Sequence, residues 1–131
     1  MATVTRFEDL EVWQLARELC KSVKAITSKG DFAKDFTLKN QIQASSGSVM
    51  DNIAEGFGRA GKKEFIQFLG IANGSANETK SQLHRALDYN YISKEEFEKS
   101  YEIADKMSRK IGSFIAYLNS SDVKGEKFRN R

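Results

Sequence analysis

The run Gly56-Phe57-Gly58-Arg59-Ala60-Gly61-Lys62-Lys63 comes close to the spacing of a phosphate-cradling loop. In such a loop the glycine-rich backbone and a lysine hold the phosphates, and a serine or threonine after the lysine takes the magnesium ion. Here Lys63 stands at that last position, and the run follows a helix-periodic stretch instead of a strand. Nucleotide hydrolysis is therefore not what these residues indicate. They read as a glycine turn that stops one helix and opens the next, with Gly61 near the N-cap and Glu64 in the first turn. A binding role survives the downgrade. A helix N-terminus beside Arg59, Lys62 and Lys63 suits a phosphate oxygen, because unpaired amides and the helix dipole both favour negative charge there.

A second basic group is Arg17, Lys21 and Lys24, spaced four and three apart and so on one stripe of a helix. Such a stripe could track a phosphate backbone, although a solvated face is the commoner explanation and Glu11 and Glu18 dilute its field. Catalytic groups are harder to find. His84 is the only histidine, and the residue three before it is Ser81, not the glutamate of a di-iron bundle motif. There is no nucleophile elbow. Glu55 and Glu78 each flank an apolar stretch and suit structural hydrogen bonds or ion pairs, Glu55 with Arg59 one turn on. Cys20, the single cysteine, excludes an internal disulfide and fits a small core hydrophobe in a reducing cytoplasm. The expectation is no enzyme, no cofactor and no metal site.

The elements that position these residues are helices. The 131-residue chain contains no proline, the strongest helix breaker. Val12, Ala16, Leu19, Val23 and Ile26 mark a helix over residues 9–27. Leu38, Ile42, Ser45, Val49 and Ile53 mark a second over 36–57. Phe65, Leu69, Ala72, Ala76, Leu83 and Ala86 mark a third over 62–89. Ser93 with Glu96 is a capping box, and it opens a fourth whose seam runs from Phe97 to Leu118. Short joints force antiparallel neighbours, so the predicted fold is all-α, an up-down-up-down antiparallel four-helix bundle over residues 1–120. Residues 121–131 form a polar basic tail.

The net charge of +3 is partly that tail, which has four basic and two acidic residues, leaving 17 basic against 16 acidic in the body. Bulk charge thus gives no argument for nucleic acid. No apolar run approaches the ~20 residues of a membrane span, and no signal peptide is visible at the N-terminus. On the predicted second and third helices, Gly47, Gly70 and Gly74 each cost about 1 kcal/mol relative to alanine. Such a cost implies close backbone approach, either within the bundle or between subunits.

Taken in order, these blocks resemble one known family. They are Phe7, Asp9-Leu10-Glu11-Val12-Trp13, Ala16, Gln41-Ile42, Asn52-Ile53-Ala54-Glu55-Gly56, Arg59, Lys63-Glu64-Phe65, Phe68-Leu69, Ile71-Ala72, Gly74-Ser75, Glu78, Gln82-Leu83 and Tyr91-Ile92. The chain is similar over residues 7–118 to the 23S ribosomal RNA intervening-sequence proteins, whose relatives include accessory proteins of diversity-generating retroelements. The resemblance implies a bacterial, cytoplasmic helical bundle that assembles into a homo-oligomeric ring, commonly a pentamer. It implies no known enzymatic activity, and nucleic-acid binding (RNA or DNA) through basic surfaces. The chain departs from the family pattern at Gln43 and Ala44, where a basic pair is usual, and at Val49-Met50-Asp51, where Ile-Pro-Ser is usual. Gly61 replaces a serine cap. These changes remove cations and add a repelling carboxylate. The expected function is a non-enzymatic scaffold or nucleic-acid-binding module, and the alternative is a protein-interaction module without nucleic-acid binding.

Overall fold

In the computed structural model of the chain, the residues described are 4–59 and 61–120; the predicted basic tail lies outside them. Four α-helices are present among the described residues: α1 (Glu11–Thr27), α2 (Phe36–Gly58), α3 (Lys62–Asp88) and α4 (Lys94–Leu118). Each packs against its two neighbours around a square, α1 on α2 and α4, α3 on α2 and α4, giving the antiparallel four-helix bundle. The apolar stripes read from the sequence form its core: Leu19, Ile42, Ile53, Leu69, Leu83, Met107 and Ile111 are all fully buried.

The helix ends follow from local chemistry. The first helix begins at Glu11, two residues later than expected, because Phe7–Asp9 form a separate 3-10 turn and Leu10 is extended. That turn sets Phe7 edge-on to Trp13, with ring centroids 5.2 Å apart. Asp35 caps α2, its carboxylate accepting from the Leu38 amide at 3.0 Å. The same carboxylate accepts from the Tyr91 hydroxyl at 2.8 Å, tying the α1–α2 joint to the α3–α4 joint. Asn90 takes the left-handed conformation (φ 60°), and the Tyr91 amide donates back to the Ala86 carbonyl, a helix-ending arrangement that asparagine tolerates. Ser93 and Glu96 make the expected capping box.

The α2–α3 seam is polar at its centre. Ser48 and Ser75 share a hydroxyl hydrogen bond at 2.9 Å. Ser45 meets Thr79 at 2.8 Å and donates to Gln82 at 2.6 Å. Among the described residues no buried side-chain polar atom lacks a partner, so this seam avoids the cost of unpaired burial. It also accounts for the polar stretch 43–48, whose small hydroxyl side chains allow α2 and α3 to approach.

One of the two readings of the interior glycines is excluded. Gly47, Gly70 and Gly74 are not sites of close approach inside the bundle: a Cβ at any of them would meet nothing within 4 Å. The seam closes through serine, threonine and Gly56 instead, and these three glycines face outward. Along α4, Asp105 pairs with Arg109 one turn on, at 3.2 Å. Asp105 also holds Lys80 of α3 at 3.1 Å, and Lys110 holds Glu11 of α1 at 3.1 Å. Antiparallel packing brings those partners within reach, so α4 uses its charges as braces to both neighbours.

Candidate nucleic-acid interface

On α1, Arg17, Lys21 and Lys24 are all exposed. Their spacing of four and three lays them along about 10 Å of one helix surface. Among the described residues, none has a carboxylate within ion-pair distance, so their charge is not neutralised locally. Arg17 is positioned by the core beneath it: its guanidinium carbon lies 5.8 Å from the centroid of the buried Trp13 ring. Such cation–π contact restrains the side chain without cancelling its charge.

The second basic group is arranged differently. Arg59 is engaged: Nη2 lies 2.8 Å from Glu55 Oε2, Nε donates to the same oxygen at 3.0 Å, and the guanidinium carbon sits 5.2 Å from the Phe68 ring centroid. The expected Glu55–Arg59 pair therefore exists. Lys63 is exposed and Lys62 partly so, in the first turn of α3. The N-cap of that helix is Gly61, as expected, with no side-chain cap. The Glu64 carboxylate lies directly against Gly61, placing negative charge where a phosphate would have to dock. The two basic groups sit on different elements, and no hydrogen bond or ion pair among the described residues joins them.

The residues that carry the sequence resemblance mostly build the α2–α3 seam. Asn52 donates to the Ser48 carbonyl at 2.8 Å and to its hydroxyl at 3.0 Å, which orients Ser48 toward Ser75. Gly56 lets Phe65 and Phe68 close on α2. Phe65 stands edge-on to Phe57 and to Phe114, at 5.8 and 5.5 Å. Gly74 and Glu78 are exposed and have no such role in the fold, and beside them Ile71 is 53% exposed.

Other candidate groups find bland places. His84 is exposed, its ring 4.9 Å from that of Phe97 and 5.3 Å from that of Tyr101. Cys20 is half-buried, and desolvation pushes its thiol above the ordinary range despite a hydrogen bond with Ser46. It is therefore protonated near neutral pH and a poor nucleophile. Among the described residues, no three His, Cys, Asp or Glu side chains are grouped to hold a metal ion. No helix among them is long and apolar enough to cross a membrane. Sequence reasoning missed the Asp35–Tyr91 link, for which the only signal was aspartate before an apolar-periodic run. It also missed a trough between α1 and α4, which no linear pattern marks.

The fold and its polar α2–α3 seam define a four-helix-bundle protein. The sequence pattern of the 23S rRNA-intervening sequence proteins matches residues 8–113, and the chain belongs to that family. A crystal structure of a protein of unknown function from the S23 ribosomal protein family of Bacteroides thetaiotaomicron VPI-5482 is similar, with a TM-score of 0.73 and 25% sequence identity. The similarity covers 79% of this chain and 97% of that one. No curated protein matches.

Proposed function

We propose that this protein is a non-enzymatic, cytoplasmic, oligomeric bundle that binds nucleic acid through its phosphate backbone. The observation that carries this reading is the α1 stripe, where three exposed cations stand without a carboxylate partner among the described residues. Contacts of this kind position a strand but read no sequence. Lys62 and Lys63 are secondary contacts, since Glu64 opposes them, and Arg59 would have to share its guanidinium with Glu55. The test is a salt titration of binding to unrelated RNA and DNA fragments of equal length. Counterion release makes log affinity fall linearly with log salt. Affinity that is flat from low to moderate salt removes the proposal.

A second reading, contact with another protein chain, is favoured by the outer surface of α2 and α3. Gly47, Gly70 and Gly74 face outward with no close neighbour, beside exposed Ile71. No contact among the described residues offsets their cost of about 1 kcal/mol each, whereas a second copy packed on this face would. Sedimentation at a monomer mass of 14.8 kDa would remove the self-association reading.

A further inference from the structure

Helices α1 and α4 leave a trough along their shared seam, made of two adjoining cavities of about 380 and 390 Å³ that have Glu18, Lys99 and Ile103 in common. We propose that the first of these cavities is a binding site for a small apolar monocarboxylate, sharing Lys21 with the nucleic-acid stripe of α1 but otherwise built from other residues. Its volume lies at the lower end of the range for small-ligand sites, roughly 300–1,000 Å³.

The lining supports each part of that assignment. Ile26 from α1 and Ile103 from α4 supply an apolar surface, which favours a short hydrocarbon body. Lys21 and Lys99 line opposite helices, and neither has an ion-pair partner among the described residues. Lys29 and Glu96, at the end near the α1 C-terminus, are bound to each other at 2.7 Å. Glu96 also accepts from the Ser93 amide at 2.9 Å, so that pair is spent and closes the site. Ser22 adds a donor. Its hydroxyl and that of fully buried Ser100 lie 2.6 Å apart, and neither has another partner among the described residues. Two hydroxyls carry two hydrogens and this bond uses one. When Ser100 donates, the Ser22 hydrogen is free for an acceptor in the cavity. Glu18 also lines the cavity and has no ion-pair partner among the described residues, so a singly charged head is accommodated where a dianion is disfavoured.

The test is titration of hexanoate, hexanol and hexyl phosphate into the full-length protein, followed through the methyl NMR signals of Ile26 and Ile103. For so small a ligand Kd is expected on the order of 1 mM. Hexanoate should bind saturably, with hexanol and hexyl phosphate both weaker. Losing one charge-assisted contact should weaken hexanoate about tenfold in Lys99→Gln and again in Lys21→Gln. Both lysines are on the surface, and an unchanged melting curve confirms that each variant folds. Lys99→Gln leaves the α1 stripe intact, so nucleic-acid binding should persist and the two proposals fail separately. Absence of methyl shifts, equal binding of hexanol, tighter binding of hexyl phosphate, or indifference to Lys99→Gln would each overturn the assignment.

Discussion

Gly56 and Phe68 define how near α2 and α3 can come: a Cβ at position 56 would stand 2.5 Å from the Cβ of Phe68. Phe65 closes the same spot from one turn away, with a ring carbon 3.1 Å from that point. Gly56→Ala is therefore expected to force the helices apart and cost about 1–3 kcal/mol, the range for overpacking. Gly112 on α4 is exposed with nothing within 4 Å. Gly112→Ala should stabilise by up to about 1 kcal/mol through helix propensity alone. Urea unfolding of the two variants should move in opposite directions. Equal shifts would refute the close approach.

Nucleic-acid binding through α1 makes a quantitative demand. Replacing Arg17, Lys21 and Lys24 together with glutamine removes up to three phosphate contacts, so the slope of log affinity against log salt should shrink by roughly 2–3. Fluorescence anisotropy across a salt series measures this. An unchanged slope would place the contacts elsewhere.

The outward glycines make another. If copies meet on the α2–α3 surface, Ile71→Glu should bring a charge into the contact and shift sedimentation toward the 14.8 kDa monomer. Helix content by circular dichroism should hold, because Ile71 is 53% exposed and contributes little to the core. An oligomer insensitive to this change would rule the surface out.

Acid and base should each weaken the fold at identifiable groups. Hydrogen bonds from the Leu38 amide and the Tyr91 hydroxyl hold Asp35 below the usual carboxylate range, and Lys29 and Lys80 do so for Glu96 and Asp105. A lowered folded pKa contributes stability that is complete above the unfolded value, about 3.9 for Asp and 4.3 for Glu. That stability is lost as pH falls through the folded value. Tyr91 shifts upward because its hydroxyl donates to Asp35, so its contribution is complete below about pH 10 and is lost as pH rises through the folded pKa. Thermal melts against pH should show both limbs. Tyr91→Phe should remove the alkaline limb and begin the acid limb at higher pH.

How legible the protein was in its sequence differed by level. Helix number and order followed from apolar spacing, since Val12, Ile42, Leu69 and Ile111 each report which side of a helix meets the core, and the antiparallel pairing followed from the short joints. The capping box at Ser93 and the Glu55–Arg59 pair were equally readable, being local in sequence. The outward glycines were not: helix propensity shows that a glycine costs something but not which direction it faces. The α4 braces Lys80–Asp105 and Glu11–Lys110 were hidden for a related reason, as their partners lie on other helices. For the candidate interface, residue types and spacing gave the α1 stripe, while the carboxylate of Glu64 against Gly61 required coordinates.

The uneven seams carry a dynamic consequence. Hydroxyl pairs and Gly56 zip α2 to α3, whereas α1, the shortest of the four α-helices at 17 residues, meets α4 along a seam that carries the trough, with the Ser22–Ser100 pair bridging the two helices. Local opening favours short elements bordered by solvent-filled gaps over elements zipped on both sides, so amide protons of α1 should exchange with solvent earlier than those of α2 and α3. The same helix that presents the free cations would then be the bundle's most readily detached part, and a strand bound along it would slow that exchange.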